Sequence, residues 1–299
     1  MTAPVRRSRV TDAASVSAAV ADGMTVGIGG FINSGHPMTL VRQLITDGKR
    51  DLVVVGAASS GLEVDLLIAA GCVAKVVSPY VGAEGFAGIG PAFRKAAQDG
   101  SIETFELDEA HFYAGLRASA QRLPFNPWRA GVGTSIPVVN PAIKEFRDPI
   151  NDELLLAVPA IDIDVCLLHA ATSDEFGNVQ HNGTRYGDTA MSAASDKTFV
   201  SVERICSTEQ VRANPLATSI AGADGVVRAP FGAHPFSADG FYVPDADHIK
   251  TYLVAADTWL RTDDREPLEE YLDRYVRGVV HADYLDRIGH PALLGLNEF

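Results

Sequence analysis

The sequence has few of the residues that build metal or disulfide sites. Its 299 residues include only three cysteines and eight histidines, and neither type is clustered. No CxxC, HxxxH or HExxH spacing occurs, which argues against a zinc site and against a disulfide scaffold. We therefore expect no metal ion, and reduced thiols of the kind found in cytoplasmic proteins.

Motifs for binding nucleotide phosphates and for serine hydrolysis are also missing, since neither GxxxxGK[ST] nor GxSxG occurs. Two glycine pairs begin like a dinucleotide fingerprint, but Ile32 and Phe93 stand where the third glycine is needed. No apolar run is long enough to cross a membrane. The net charge of −13 argues against nucleic acids and anionic membranes as partners.

Short β-branched runs alternate with helical patterns over most of the chain. Strands are predicted at 25–28, 52–56 and 73–78, and the run at 52–56 is apolar on both faces, which is typical of strands covered on both sides. We predict an α/β domain over residues 1–245, with an open, mainly parallel sheet and helices on both faces. Residues 246–299 have apolar residues at helical spacing and are predicted to form a helical C-terminal extension packed on that domain.

Residues 25–37 are the most informative segment. A predicted strand runs into Gly27, Gly29 and Gly30, and a polar loop then ends at His36 and Pro37 before a helical pattern. A strand, glycine turn and helix in this order expose backbone N–H groups at the carboxyl end of a sheet, where ligands bind in α/β proteins. The alternative is that the glycines only make a tight turn.

Carboxylates and histidines near predicted strand ends are the other candidates for chemistry. Glu109 follows a predicted strand at 102–107, where it lies either in a pocket or at a solvated helix N-terminus. Glu63 and Asp65 are expected to be solvated in a first helical turn. His36 and His234 are expected to bond to backbone groups in turns, with contact to an anion or a carbonyl as the alternative.

Several segments together resemble the α subunits of family I CoA-transferases. The loop from Val26 to Phe31, followed by Pro37, is similar to the N-terminal loop of that family. The resemblance covers nearly the whole chain, and it is strongest to the glutaconate CoA-transferase α subunit and to a related hydrolase that opens steroid rings. Further similar segments are 118–127, 157–160, 164–170, 203–205, 229–235 and 284–289.

This resemblance implies the CoA-transferase fold and a partner, a β subunit of the same fold, in an α2β2 assembly. The β subunit would supply the glutamate nucleophile, and acyl-CoA and a carboxylic acid would be the substrates. Coenzyme A is then a substrate moiety, and no cofactor is expected. The residues of this chain that the resemblance places in the acyl pocket are Gly29, Gly30, Phe31, Asn33, Ser34 and His36.

The hydrolase branch implies a different distribution of roles. There the β subunit lacks the nucleophile, and a glutamate in an Asp-Glu-Gly segment of the α subunit is essential. Asp108, Glu109 and Ala110 fall at that place, so Glu109 is the candidate catalytic base of a hydrolase or C–C lyase. Residues 31–36 lack the tryptophan and paired arginines of that branch. A non-catalytic scaffold subunit is the third hypothesis.

Overall fold

The computed structural model describes residues 6–297. In chain order, the strands of that part are Val10–Thr11 (β1), Thr25–Ile28 (β2), Leu52–Val55 (β3), Val73–Val77 (β4), Glu103–Thr104 (β5), Phe125–Trp128 (β6), Lys144–Arg147 (β7), Leu154–Pro159 (β8), Ile163–Ser173 (β9), Val179–Gln180 (β10), Ser195–Ile205 (β11), Thr218–Ile220 (β12) and Gly225–Arg228 (β13). The helices are Ala13–Ala18 (α1), Met38–Thr46 (α2), Leu62–Ala69 (α3), Pro91–Asp99 (α4), Glu109–Ala120 (α5), Ile136–Val139 (α6), Asp188–Ala193 (α7), Thr208–Ala213 (α8), Ala246–Thr262 (α9), Glu266–Tyr275 (α10), His281–Ile288 (α11) and His290–Gly295 (α12).

One large sheet forms the centre of the molecule. Eight strands lie parallel in the order β1-β13-β11-β9-β2-β3-β4-β5. Strand β10 pairs antiparallel with β9 and with β12. The predicted open, mainly parallel α/β sheet is therefore confirmed. Because the eight strands are parallel, their carboxyl ends meet at one edge of the sheet.

Helices cover both faces of this sheet, as predicted. Along β9, Val165 and Leu167 join a core formed with α2, α3, α4, α9 and α10. Cys166 and Leu168, on the other face of the same strand, join a core formed with α5 and α7. Successive strand residues point to opposite faces, so burial on both sides produces the continuous apolar runs of the sequence.

A second, smaller sheet has the antiparallel order β6-β8-β7. The sequence predicts extended backbone at residues 122–129 and a strand at 153–158, but it does not predict that they pair with each other. Pro127 lies on β6, an edge strand, where a missing N–H is tolerated. Leu156 and Val158 of β8 pack with Ala114 of α5. The small sheet therefore supports the helix that begins at Glu109.

Several predicted boundaries are wrong in detail. The strand predicted at 102–107 pairs only over Glu103–Thr104, because β5 is the last strand of its sheet and has one neighbour. The turn signal at 174–177 predicts a loop over residues 172–186. That stretch instead contains the end of β9 and all of β10, joined by a turn in which Gly177 has φ of +85°. The helix predicted at 267–280 ends at Tyr275, shortly before Gly278 adopts φ of +64°.

The C-terminal helices complete the first of the two cores. Tyr252 of α9 and Leu272 of α10 belong to the same buried cluster as Val26 of β2. The Tyr252 hydroxyl donates to Asp65 Oδ2 at 2.6 Å, and Asp65 Oδ1 accepts the Phe93 N–H at 2.7 Å. Asp65 is fully buried, so the expectation of a solvated side chain is wrong. Its carboxylate instead joins α3 to α4 and α9.

Two histidines lie between these helices and the sheet, of which His248 is buried and His281 is partly buried. His248 Nε2 is hydrogen-bonded to the Tyr271 hydroxyl at 3.0 Å, and His281 Nε2 to the Pro230 carbonyl at 2.8 Å. Burial lowers the pKa of His248 to about 3 and the pKa of His281 to about 4. Both rings are therefore neutral in the folded protein at neutral pH.

We predict that acidification destabilises the protein through these histidines. An unfolded histidine has a pKa of about 6.5, so the unfolded state binds more protons and stability falls as the pH drops from 6.5 toward 4. Each such histidine should remove about 2 kcal/mol from the free energy of unfolding between pH 7 and pH 5. In His248→Gln, the free energy of unfolding measured in urea should therefore fall between pH 7 and pH 5 by about 2 kcal/mol less than in the wild type. The exposed His290→Gln serves as the control, and equal pH dependence in both variants would contradict this prediction.

Candidate functional site

The loop after β2 has no room for side chains at two of its glycines. Gly30 has φ of +100°, and a Cβ at this position would lie 2.5 Å from His36 Nδ1. A Cβ on Gly29 would lie 2.4 Å from Asp188 Oδ1. Both distances are shorter than any van der Waals contact. The backbone of the loop is thus held between Asp188 on one side and His36 on the other.

Most backbone N–H groups of this loop are already bonded within the chain. The Gly30 N–H donates to Asp188 Oδ1 at 2.9 Å. The other pairs are Gly29 N–H with Leu167 O (3.0 Å), Phe31 N–H with Ser34 O (2.8 Å), Ile32 N–H with Ser59 O (2.8 Å) and Gly35 N–H with Ser237 O (2.9 Å). The expectation that the turn offers these N–H groups to a ligand is therefore wrong, and the loop presents a surface rather than an anion cradle.

His36 lies beneath the loop and is fully buried. Its ring nitrogens are 2.8 Å from the Gly29 carbonyl and 3.1 Å from the Ile32 carbonyl, as expected for a histidine bonded to backbone. Glu63 Oε2 lies 3.3 Å from His36 Nδ1. Burial raises the pKa of Glu63 to about 8 and lowers the pKa of His36 to about 4. The expectation of a solvated Glu63 is wrong, because α3 begins directly under the loop.

A small pocket opens beside the loop at the carboxyl edge of the sheet. The loop contributes Ser34 and Gly35, β9 contributes His169, and residues 181–188 and 238–239 form the opposite wall. Gly29, Gly30, Phe31, Asn33 and His36 are not in this lining. The free volume is about 30 Å³, far below the roughly 300–1,000 Å³ of typical small-molecule sites. The chain alone therefore encloses far less space than an acyl group occupies.

A buried carboxylate lies behind His169. His169 Nε2 is 3.0 Å from Glu203 Oε1, and His169 Nδ1 is 2.9 Å from Ser201 Oγ. Glu203 also accepts the Tyr242 hydroxyl at 2.7 Å and two backbone N–H groups of the loop after β13. Burial alone would raise the pKa of Glu203, but these hydrogen bonds, led by His169, outweigh it and lower the pKa. Glu203 is therefore an ionised carboxylate whose oxygens are both engaged.

A second histidine and carboxylate form the wall that faces the loop. Asp188 is 1% exposed, and its Oδ2 lies 3.1 Å from His181 Nε2 while its Oδ1 receives the Gly30 N–H. His181 Nδ1 is 2.7 Å from Ser219 Oγ. Asp188 thus connects the glycine loop to the segment that follows β10, and neither of its oxygens is free.

Aromatic stacking and strained backbone mark the outer rim of the pocket. The Phe31 and Tyr186 rings are parallel within 3° and 5.1 Å apart. Ile32 and Tyr186 have φ of +51° and +45°, a region that residues other than glycine rarely adopt and that is frequent at functional sites. Asn33 Nδ2 donates to the Glu84 carbonyl at 2.8 Å, and Ser34 Oγ donates to Asp239 Oδ1 at 3.3 Å.

Glu109 lies outside this pocket, at the first position of α5. The preceding Asp108 caps the helix by accepting the His111 N–H at 2.8 Å, and Glu109 itself is exposed. Tyr113 lies one turn later on the same helix. Burial, together with the charges of Glu109 and Asp188, raises the pKa of Tyr113. Glu109 is therefore on the side of the sheet edge where Asp188 lies.

His234, the other candidate histidine, is buried and bonds to side chains rather than to backbone. Its ring nitrogens lie 2.7 Å from the Tyr284 hydroxyl and 3.2 Å from Asp245 Oδ2.

Within residues 6–297, no group of His, Cys, Asp or Glu is arranged to hold a metal ion. No helix in that range is long and apolar enough to span a membrane.

Sequence reasoning did not single out His169, His181, Asp188 or Glu203 as site residues. A signal existed for two of them, since His169 and Glu203 interrupt apolar strands near their carboxyl ends. The sequence pattern predicts a helix at 189–194, and Asp188 directly precedes it. An acidic residue is common at that position because it interacts favourably with the helix dipole. The pairing of His169 with Glu203 depends on the register of two strands, and the contact of Asp188 with Gly30 joins segments that are remote in sequence.

Comparison with known proteins shows which family this chain belongs to. The family model described as coenzyme A transferase matches residues 10–224. The chain belongs to the coenzyme A transferase family. The resemblance found in the sequence is thus confirmed, and the family model covers β1–β12, the glycine loop and both histidine–carboxylate pairs.

Two sequence relatives and two solved structures locate the chain within the family. It is 38% identical over 247 residues to the cholesterol ring-cleaving hydrolase IpdA subunit of Rhodococcus jostii, covering 79% of this chain and 83% of that protein. It spans 61% of the length of an uncharacterized Archaeoglobus fulgidus protein to which it is 33% identical over 92% of its own length. Glutaconate coenzyme A-transferase from Acidaminococcus fermentans has a TM-score of 0.89 at 26% identity, over 98% of this chain and 96% of that one. A variant of the decarboxylase AibA/AibB has a TM-score of 0.78 at 28% identity, over 90% of this chain and 100% of that one.

We predict that Gly30→Ala destabilises the protein strongly. The new Cβ would meet His36, and the backbone would keep a φ that alanine disfavours, so the free energy of unfolding should fall by at least about 2 kcal/mol. Gly88→Ala is the matched control, because a Cβ there meets nothing within 4 Å. Chemical denaturation of the two variants tests this, and equal midpoints would show that the loop is not tightly held.

Proposed function

We propose that this chain is the α subunit of a CoA-transferase that moves CoA between an acyl-CoA and a carboxylic acid. The observation that carries this proposal is that the pocket beside the glycine loop is small and that the carboxylates beside it are already engaged. The buried carboxylates there, Asp188 and Glu203, are held by internal hydrogen bonds. The pocket encloses about 30 Å³. Family membership supports the reaction class, and the incomplete pocket supports a second subunit.

A partner subunit of the same fold would close the pocket and supply the nucleophile, and we propose an α2β2 assembly in the cytoplasm. A glutamate carboxylate of that subunit attacks the thioester carbonyl, and CoA leaves as a thiolate. The thiolate then attacks the glutamyl carbonyl of the resulting anhydride, which releases the first acid and leaves a glutamyl-CoA thioester. The acceptor acid takes CoA by the reverse steps. CoA is a substrate moiety here, and these steps need no further cofactor.

The glycine loop has a defined part in this proposal. Gly29 and Gly30 give the loop its tight path, and Phe31 and Ser34 contact the acyl group, since Phe31 stacks on Tyr186 and Ser34 lines the pocket. His36, being buried, supports the loop from below and does not touch substrate. Asn33 fixes the outer end of the loop through its bond to the Glu84 carbonyl.

Trapping the covalent intermediate tests the transferase proposal. The complex of this chain with its partner subunit, incubated with acyl-CoA alone, should form an enzyme thioester that hydroxylamine cleaves and borohydride reduces. Activity should be lost on either treatment and only when acyl-CoA was present, so the same reagents without acyl-CoA are the control. A complex that turns over acyl-CoA but never yields a trappable thioester would exclude this mechanism.

A hydrolase or C–C lyase on the same fold is the second candidate function. Two observations favour it: Glu109 is exposed beside Tyr113 at the carboxyl edge, and one relative, at 38% identity, is a ring-cleaving hydrolase subunit. In this case Glu109 would act as base toward water or toward an acidic C–H group.

Glu109→Gln separates the two functions. If Glu109 is the base, turnover should fall by about 10²- to 10⁴-fold, the usual contribution of such a group, while the complex still assembles. Glu209→Gln is the matched control, since Glu209 is also an exposed glutamate in the first turn of a helix. Full activity in Glu109→Gln would exclude the hydrolase mechanism. An assembled complex whose melting temperature acyl-CoA does not shift would favour a scaffold subunit instead.

A further inference from the structure

A buried histidine–carboxylate pair, His36 with Glu63, lies beneath the glycine loop. Both side chains are 0% exposed, and Glu63 Oε2 lies 3.3 Å from His36 Nδ1. Glu63 Oε1 accepts the Gly61 N–H at 3.0 Å, which fixes the carboxyl group at the start of α3. Neither residue lines the pocket beside the loop. Any effect of the pair on the reaction is therefore exerted through the loop.

Both ring nitrogens of His36 face carbonyl oxygens of the loop. Nδ1 is 2.8 Å from the Gly29 carbonyl, and Nε2 is 3.1 Å from the Ile32 carbonyl. A carbonyl oxygen only accepts hydrogen bonds, so each of these contacts needs an N–H group on the ring. A neutral imidazole has one N–H group, whereas an imidazolium has two. The geometry therefore fits a doubly protonated His36.

A protonated Glu63 does not fit the same contacts. A proton on Oε2 would have His36 Nδ1 as its neighbouring acceptor, and Nδ1 would then turn a lone pair toward the Gly29 carbonyl at 2.8 Å. Within residues 6–297, Glu63 Oε2 has no hydrogen-bond partner. An ionised Glu63 instead supplies the negative charge that a buried imidazolium needs beside it.

The pair binds one proton in total at neutral pH. Burial lowers the pKa of His36 to about 4 and raises the pKa of Glu63 to about 8, and in a coupled pair the two values describe the proton count of the pair. A charged ring beside an ionised carboxylate has the same count as a neutral ring beside a protonated carboxyl. The two carbonyl acceptors favour the first arrangement.

Other charged groups around the pair act in both directions. The carboxylate of Asp188 favours a charged His36, whereas His169 on β9 opposes it. Asp65, on the same helix as Glu63, favours a protonated Glu63. The hydrogen bonds from the ring to the two loop carbonyls act in the same direction as Asp188. A buried ion pair persists where such additional hydrogen bonds satisfy both partners.

The two carbonyls enclose the part of the loop with the most unusual backbone. Gly30 lies between them with φ of +100°, and Ile32 itself has φ of +51°. Such conformations persist only where the surrounding structure holds them. A neutral His36 could donate to one carbonyl only and would leave one end of this segment without its bond. A charged His36 fixes both ends of the segment that carries Phe31.

We infer that Glu63 is a positioning residue, which keeps His36 doubly protonated so that the ring holds the glycine loop at both Gly29 and Ile32. The inference rests on the proposed function, in which Phe31 of this loop contacts the acyl group, and adds a residue to it. Glu63 does not touch substrate. It acts on the reaction by fixing the loop through the charge on His36.

Infrared spectroscopy of the complex with the partner subunit tests where the proton lies. At neutral pH, Glu63→Gln should remove an ionised-carboxylate band from the wild-type spectrum and no protonated-carboxyl band. Asp65→Asn is the matched control, because Asp65 is the other acidic residue of α3, is also buried, and has its pKa raised by burial to about 6. A protonated-carboxyl band that is lost in Glu63→Gln and kept in Asp65→Asn would overturn the inference.

The wild type and Asp65→Asn repeat this test if Glu63→Gln does not assemble. The pair loses its proton as the pH rises through about 8. A proton that leaves His36 changes no carboxyl band, as we expect. A protonated-carboxyl band that disappears through that pH in both proteins would place the proton on Glu63 and overturn the inference.

Kinetics of the same complex test the positioning role. In Glu63→Gln, kcat for CoA transfer should fall roughly 10- to 100-fold with little change in KM, the effect of displacing a positioning group by about 1 Å. Glutamine keeps the size of the side chain and an oxygen for the Gly61 N–H, so a packing role alone would leave kcat unchanged. The wild-type kcat should also fall above about pH 8, when the pair loses its proton.

This alkaline fall should be absent from Glu63→Gln and present in Asp65→Asn. Full kcat with the wild-type pH profile in Glu63→Gln would overturn the positioning role. The infrared spectra need no turnover, so they separate this failure from failure of the proposed function. A complex that transfers no CoA overturns the proposed function, and the spectra still decide whether Glu63 or His36 holds the proton.

Discussion

The close contact of the glycine loop with Asp188 and His36 is the constraint on which the site depends. A Cβ at Gly29 or Gly30 would come within 2.4 or 2.5 Å of these two side chains. The loop therefore follows a single path, with its N–H groups turned to acceptors inside the protein and its outer surface turned to the pocket. The segment that the sequence presents as a possible ligand cradle is in the structure a rigid wall.

The supports of this wall are buried polar groups, which are costly unless they are bonded. Asp188 accepts the Gly30 N–H and lies beside His181. Glu203 is bonded to His169, to the Tyr242 hydroxyl and to backbone N–H groups. Both carboxylates are thereby satisfied, and neither is left to act as a nucleophile. Because this bonding occupies both carboxylates, the chemistry has to come from outside the pocket, either from a partner subunit or from Glu109.

The sheet was predictable because its strands are locally encoded. The run at β3 is apolar throughout and those at β2 and β4 are largely so, and the helical segments between them have apolar residues at helical spacing, so each element is specified by its own residues. The bonding of His36 to backbone was also expected, because a histidine in a short polar turn lies close to carbonyl groups.

The buried polar pairs were not predictable in this way. Glu63 and Asp65 occupy an acidic first turn that looks solvated in sequence, and only the packing of α3 beneath the loop and against α9 buries them. The pairing of His169 with Glu203 depends on the register of β9 against β11, and Asp188 meets Gly30 across 158 residues of sequence. The antiparallel pairing of β6 with β8 is likewise set by tertiary contact with α5.

In our proposal, this chain supplies the walls of a CoA-thioester site while the covalent step occurs on another subunit. Intact mass measurement of both subunits, during turnover of acyl-CoA by the assembled complex, tests that division of roles most directly. We predict that this chain keeps its unmodified mass and that the CoA adduct is found on the partner subunit. A CoA adduct on this chain would contradict the proposal.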